Sequence, residues 1–261
     1  MSYALCICVI KNCACKSDRT ICTCYIFACG RVAQVSRHAA MLATIMQQIR
    51  TEGSYNMYAK LMDSSKFGGV PHHRPRLFIL GILKTIDKGT FEWPHEYEHP
   101  GLESILEPAA SKPIEIPPKT QTTARNNLLA GLQAIQNRKL NPRREPCILD
   151  IDSTNVNWRH DESLCLTRSR GSSGGYYVSN RGRRLTTNEQ CRLQAYDPNR
   201  IIATCISQRQ LCMAIGNAMT VSVVERIFAR ALPAAGLASA DALKFRWESK
   251  QDAKNKLSTM F

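Results

Sequence analysis

The sequence predicts an α/β fold, and three observations carry that expectation. In residues 36–50 (SRHAAMLATIMQQIR), Leu42, Ile45, Met46 and Ile49 recur at i, i+3, i+4 and i+7, one apolar stripe of a helix. Residues 77–82 (LFILGI) form an unbroken apolar run, short enough for a strand buried on both faces. From about 218 to 231 the helical spacing returns, with Val221, Val224, Ile227, Phe228 and Leu232 on one side and Pro233 as a stop. Helices and strands in such succession build a layered α/β domain.

In chain order, the first segment is a Cys-rich leader, residues 1–38, expected to stay poorly ordered and outside the fold. Seven of the 12 cysteines fall in the first 30 residues: Cys6, Cys8, Cys13, Cys15, Cys22, Cys24 and Cys29. The first three pairs are spaced C-x-C. Zinc modules mostly use C-x2-C to C-x4-C, because a tight turn must aim both thiolates at one ion, so no metal site is expected here. The apolar stretch Ala4–Ile10 follows no basic segment and is cut short by Lys11, unlike a signal peptide. The other five cysteines, Cys147, Cys165, Cys191, Cys205 and Cys212, stand singly, which points to a reducing, intracellular compartment, the nucleus if the cell is eukaryotic.

Ser36 caps the helix at 36–50 and Gly53 follows its end. Residues 55–61 (YNMYAKL) put Tyr55, Met57, Ala59 and Leu61 on one face, a half-buried strand. After Lys84 the composition changes. Six of the 12 prolines lie between 94 and 118, which makes this stretch an irregular linker. A helix is expected over 123–138, ahead of Asn141-Pro142. Short strands and Gly/Ser loops follow over 146–185, where Arg159, Arg168, Arg170, Arg181, Arg183 and Arg184 stand against Asp150, Asp152, Asp161 and Glu162. Thr186 and Glu189 make a capping box that starts a helix at about Thr187, with Arg192 one turn on and in position to pair with Glu189. The tail, 236–261, is charged and expected to be solvated.

The formal net charge is +14 and the pI about 9.4, which favours a polyanionic partner, nucleic acid ahead of an anionic membrane surface. No run approaches the ~20 apolar residues of a membrane helix, so no membrane partner is expected. Hydrophobic residues at 44% and charged residues at 21% exclude wholesale disorder.

Three segments stand out. In FGGVPHHRPRLFILGI (67–82), Arg74 and Arg76 enter a buried strand at i, i+2, on one face of an extended chain, and need a carboxylate, phosphate or carbonyl partner there. A structural pair at the sheet edge is the alternative. GRRLTTNEQCRLQAYDP (182–198) carries the capping box. In QLCMAIGNAMTVSVVERI (210–227), Gly216-Asn217-Ala218 opens the last helix, where exposed N–H groups suit an anionic group, or simply cap it.

In this order the three segments resemble motifs VIII, IX and X of the DNA cytosine-5 methyltransferases, over roughly residues 39–232. The resemblance implies an incomplete Rossmann-like methyltransferase sheet with a smaller, irregular target-recognition region. Residues 39–83 would carry motif VIII, 84–182 the linker and recognition region, and 183–235 motifs IX and X. It implies S-adenosylmethionine as cofactor, DNA as partner, a flipped cytosine, and a thiolate added to C6 so that C5 accepts the methyl group. Arg76 would contact the cytosine carbonyl and Arg74 would position a glutamate. Gly216, Asn217 and Ala218 would border the cofactor, while Arg168, Arg170, Arg183, Arg184 and Thr186 would meet DNA. His72 stands where the family usually has Gln, and Ala195 where motif IX usually continues with Gly. No Phe-x-Gly-x-Gly, Pro-Cys or Glu-Asn-Val segment precedes residue 67. The chain is therefore expected to be a C-terminal fragment, inactive alone and completed by a chain that carries the N-terminal half.

Pro146-Cys147 is the one Pro-Cys, and it falls in the recognition region. Two other classes remain: a non-catalytic DNA-binding or partner module of the same family, and a zinc protease through His95-Glu96-Tyr97-Glu98-His99. The latter needs both His on one long helix, against which Pro94 and Pro100 argue.

Overall fold

The computed structural model describes residues 6–11, 22–29, 43–44, 47, 54–109, 114–242 and 247–261. The elements are β1 (Cys6–Lys11), β2 (Cys22–Cys29), β3 (Tyr55–Asp63), α1 (Ser64–Phe67), β4 (Pro75–Leu83), α2 (Thr122–Asn137), β5 (Cys147–Asp150), β6 (Asn157–His160), α3 (Arg168–Ser172), β7 (Tyr177–Val178), β8 (Arg183–Arg184), α4 (Thr187–Leu193), α5 (Gln208–Asn217), α6 (Val221–Ala234) and α7 (Lys250–Ser258). The helix expected at 36–50 lies mostly outside the described residues, although Ala43, Thr44 and Gln47 are helical.

Two compact units divide these elements. The first takes residues 1–63, 75–96 and 223–245. Its sheet has the order β1-β2-β4-β3, antiparallel at every pairing. A doubly wound sheet is mainly parallel, whereas this one has no parallel pairing among the described residues. The apolar run is explained by β4 being central, bonded along both edges, with Phe78, Ile79, Leu80 and Ile82 buried. In β3 the expected face is buried at Tyr55 but not at the strand's end. Met62 is 1% exposed and its neighbour Leu61 46%, because adjacent strand residues point to opposite faces and the covered face at this end is that of Met62. Two segments of the Cys-rich leader are strands, and Cys24–Cys29 pair with β4 over Leu77–Ile82. The segment CTCYIFAC offers the β-branched and aromatic residues that suit a strand. The rest of the leader lies outside the described residues. The last helix begins at Val221 and holds Pro233 within its final turn rather than beyond it. From Val223 it buries Val223, Ile227 and Ala231, one turn apart.

The second unit takes residues 64–74, 97–222 and 246–261. Its sheet, β6-β5-β7-β8, is antiparallel. β5 is buried on both faces, as its alternation shows. Ile148 enters one cluster with Leu102, Ile105, Leu166, Val178 and Leu193, while Cys147 and Leu149 enter another with Leu128, Ile135 and Tyr177. Within 146–185, expected to hold short strands and loops, lies the short helix α3, capped by Thr167. The described part of the tail is solvated on one side only. Trp247, Ala253, Leu257 and Met260 are buried in the first cluster, since Ala253 and Leu257 lie one turn apart on the apolar side of α7. Among the described residues no single helix is long and apolar enough to cross a membrane.

Candidate functional site

Within the second unit, four stretches far apart in sequence meet at one buried hydrogen-bonded junction. His72 is fully buried. Its Nε2 accepts from the Leu166 N–H at 2.9 Å, which requires Nδ1 to carry the proton it donates to the Leu193 carbonyl at 3.1 Å. Arg74, 3% exposed, donates from Nη1 to the Leu166 carbonyl at 2.6 Å. From Nη2 it donates to the carbonyls of Ala218 at 2.6 Å and Gly216 at 3.4 Å. The Thr220 hydroxyl donates to Gln194 Oε1 at 2.8 Å, so its contact with Ser64 Oγ, also 2.8 Å, must be donated by Ser64. Gln194 Nε2 donates to the Ile215 carbonyl at 3.0 Å, and the Val221 N–H to the Gln194 carbonyl at 3.0 Å. Segments around residues 64–74, 163–166, 193–195 and 215–221 are thereby held in one geometry.

Two glycines permit the close approach that this junction requires. A Cβ on Gly216 would stand 2.3 Å from the Thr167 carbonyl oxygen, and one on Gly171 2.1 Å from that of Cys212. Both are helical glycines packed against backbone, so α3 and α5 cross in direct contact.

Beside it stands a buried charge pair. The Thr186–Glu189 capping box forms as expected. Glu189, fully buried, accepts from both Arg183 guanidinium nitrogens at 2.7 and 2.8 Å, and from the N–H groups of Thr186 and Glu107, each at 2.8 Å. The hydrogen bond to Glu189 is the chief reason the Arg183 pKa is raised. Arg192 does not pair with Glu189. It donates to the carbonyls of Met260 and Ile105 and lies 3.9 Å from the Phe261 ring centroid. Its guanidinium is taken up by those carbonyls and by Glu107 at 3.7 Å, whereas Arg183 reaches Glu189 from the extended strand before the cap.

The site residues read from the sequence fall as follows. Arg74 precedes β4 and spends its guanidinium on main-chain carbonyls. Arg76 lies in β4, half-buried in the first unit, and donates to the Pro75 carbonyl at 2.7 Å. The two therefore belong to different units. Gly216-Asn217-Ala218 does not open the last helix but closes α5, with Ala218 as its C-cap. The N–H groups expected there for an anion belong to the helix interior, and the segment instead turns carbonyls outward. Of the three residues, two have carbonyls bonded by Arg74, and Asn217 alone presents an exposed amide. These residues do not by themselves form a cradle for a methyl donor. Arg183 is committed to Glu189, Arg184 to Asp152 by two bonds at 2.7 and 2.8 Å, and Arg170 to Asp150 at 2.9 Å. Thr186 caps α4. Arg168 is exposed.

The Cys147 thiol is buried in β5, and burial pushes its pKa up to about 11, so at neutral pH it is a thiol rather than a nucleophilic thiolate. Residues 95–99 form no helix, and among the described residues no group of three metal-ligating side chains is gathered. The zinc-protease reading lacks its geometry.

A family model for the C-5 cytosine-specific DNA methylases matches residues 32–232. The chain belongs to that family. No curated protein matches its sequence. Among solved structures, it is similar to an Entamoeba histolytica methyltransferase, EhMeth, at 14% identity and TM-score 0.44, over 71% of this chain and 57% of that one. It is also similar to a Spodoptera frugiperda DNMT2 mutant (15%, TM-score 0.42, 70% of this chain and 60% of that) and to the S. pombe Dnmt2 methyltransferase (16%, TM-score 0.40, 76% and 64%). The chain thus spans less than two thirds of each. For a methylase-family chain, the residues the motifs did not single out are Ser64, Gln194 and Thr220. Gln194 and Thr220 carry the signal of being polar between apolar neighbours, and Ser64, between Asp63 and Ser65, carries none.

Proposed function

We propose that this chain is the C-terminal portion of a DNA (cytosine-5) methyltransferase, which transfers a methyl group from S-adenosylmethionine to a flipped cytosine when completed by an N-terminal half. The supporting observation is the junction, in which His72 and Arg74 of the motif VIII-like segment bond to residues of the stretches resembling motifs IX and X. In the completed protein Arg76 meets the cytosine carbonyl, Asn217 borders the methyl donor, and the second unit lies along DNA, in a reducing compartment that is the nucleus if the cell is eukaryotic.

The test is transfer of a labelled methyl group from S-adenosylmethionine to cytosine in duplex DNA. The chain alone should transfer none, and addition of a polypeptide with the Gly-rich, Pro-Cys and Glu-Asn-Val segments should restore it. Arg76→Ala should then cost roughly 1–3 kcal/mol of transition-state stabilisation, from a base carbonyl left unpaired. Transfer by the lone chain, abolished by Cys147→Ser, would overturn this reading. Arg74 takes the carbonyls of Gly216 and Ala218, which leaves no cradle for a methyl donor at this segment by itself and favours a second reading, a non-catalytic DNA-binding module. DNA binding without transfer in any complementation would select it.

A further inference from the structure

We infer that the loop of residues 138–144, rather than the paired arginines of 170–184, is the surface of the second unit that contacts DNA phosphates. This rests on reading DNA as the partner. Four cations, Arg138, Lys139, Arg143 and Arg144, lie within seven residues and all are exposed. Among the described residues, none of the four side chains has a hydrogen bond or an ion pair. Of the arginines between 168 and 184, Arg168 stands exposed as a single cation, and the other four are spent internally: Arg170 on Asp150, Arg181 on Glu103, Arg183 on Glu189 and Arg184 on Asp152. Releasing any of them to a phosphate breaks a pair that is at least partly desolvated.

The loop backbone is already ordered. Lys139 adopts a left-handed conformation, φ 62°, and the Leu140 N–H reaches back to the Ile135 carbonyl. The Asn141 side chain accepts from the Arg143 N–H at 3.0 Å, and its carbonyl from those of Arg144 and Glu145. Leu140 packs against the cluster under α2, and Pro142 is buried. Glu145, the acid that follows in sequence, faces His160 at 3.1 Å and accepts from the Asn141 N–H at 3.3 Å. Arg138 and Lys139 follow the last turn of α2, where the helix dipole alone favours a cation. That does not account for Arg143 and Arg144, which lie beyond Pro142, out of reach of an effect confined to the last turn. Fixed cations with no acidic partner fit the regularly spaced charges of a duplex backbone.

The experiment measures binding of the full chain to a short fluorescein-labelled duplex as salt is varied. Each lost phosphate contact should flatten the log–log salt slope by about 0.9. Replacing all four cations by Gln should remove on the order of 2–4 from that slope and weaken binding roughly 10- to 100-fold at low salt. Arg143→Gln/Arg144→Gln should give about half of the slope change, and Arg143→Lys/Arg144→Lys none. A control set of exposed cations, Lys119, Arg200, Arg209 and Lys254, all to Gln, removes the same charge and should leave the slope nearly intact. An equal loss in the control set, or an unchanged slope in the loop variants, overturns the assignment of the loop while leaving DNA as the partner. A wild-type chain that does not bind the duplex overturns both. Methyl transfer in the complemented protein, read on the same duplex, reports the catalytic reading separately.

Discussion

Replacing His72 separates a hydrogen-bonding role from a merely space-filling one. The ring accepts from the Leu166 N–H and donates to the Leu193 carbonyl, and both of those residues are fully buried. His72→Leu fills the volume but strands one donor and one acceptor, each costing about 1–3 kcal/mol when buried without a partner. The sum is roughly 2–6 kcal/mol, a large share of a typical domain's stability. Glutamine offers one acceptor and one donor on an amide whose heteroatoms are spaced much like the two ring nitrogens. His72→Gln should therefore cost about 1 kcal/mol or less. Urea unfolding of the three proteins, followed by fluorescence and circular dichroism, reads the difference as a shift in midpoint at constant slope. Equal midpoints for the Leu and Gln variants would refute the reasoning. The same argument explains how His stands where the family usually has Gln, since the position demands one acceptor and one donor rather than a particular ring.

Three further outcomes follow from the structure. With its pKa near 11, Cys147 holds roughly one part in a thousand of thiolate at pH 8, so iodoacetamide followed by mass spectrometry should label the exposed Cys205 first and Cys147 only on unfolding; early labelling of Cys147 contradicts this. Gly216→Ala should destabilise by about 2 kcal/mol or more, because its Cβ meets the Thr167 carbonyl at 2.3 Å and backbone has to move; a thermal midpoint equal to wild type contradicts it. Burial is the main cause that lowers the His99 pKa below 6.5, and its Nδ1 accepts from the Gly101 N–H. Below pH 6.5 the unfolded chain therefore binds a proton that the folded chain refuses, and stability should fall with falling pH through that window. His99→Gln should flatten that decline, and an identical pH profile for the variant would rule His99 out as its source.

The elements were legible where a single local rule governs them. The apolar run of β4, the helix at 122–137 and the Thr186–Glu189 capping box depend on periodicity or on contacts three residues apart, and these are properties of the chain in order. Family membership was legible too, because motif order is itself a sequence property. Tertiary structure alone decided which charged groups are spent and which are free. Arg183 and Arg143 look alike in sequence, but one is locked to a buried carboxylate and the other stands on an exposed loop. Likewise Gly216-Asn217 reads as a helix start, yet it ends α5, which begins upstream at the Ser207–Gln210 capping box, and only the fold brings Arg74, more than a hundred residues away, to the carbonyls of Gly216 and Ala218. Ionic and hydrogen-bonding groups choose partners by distance in space and by competition with water, neither of which is encoded in their separation along the chain.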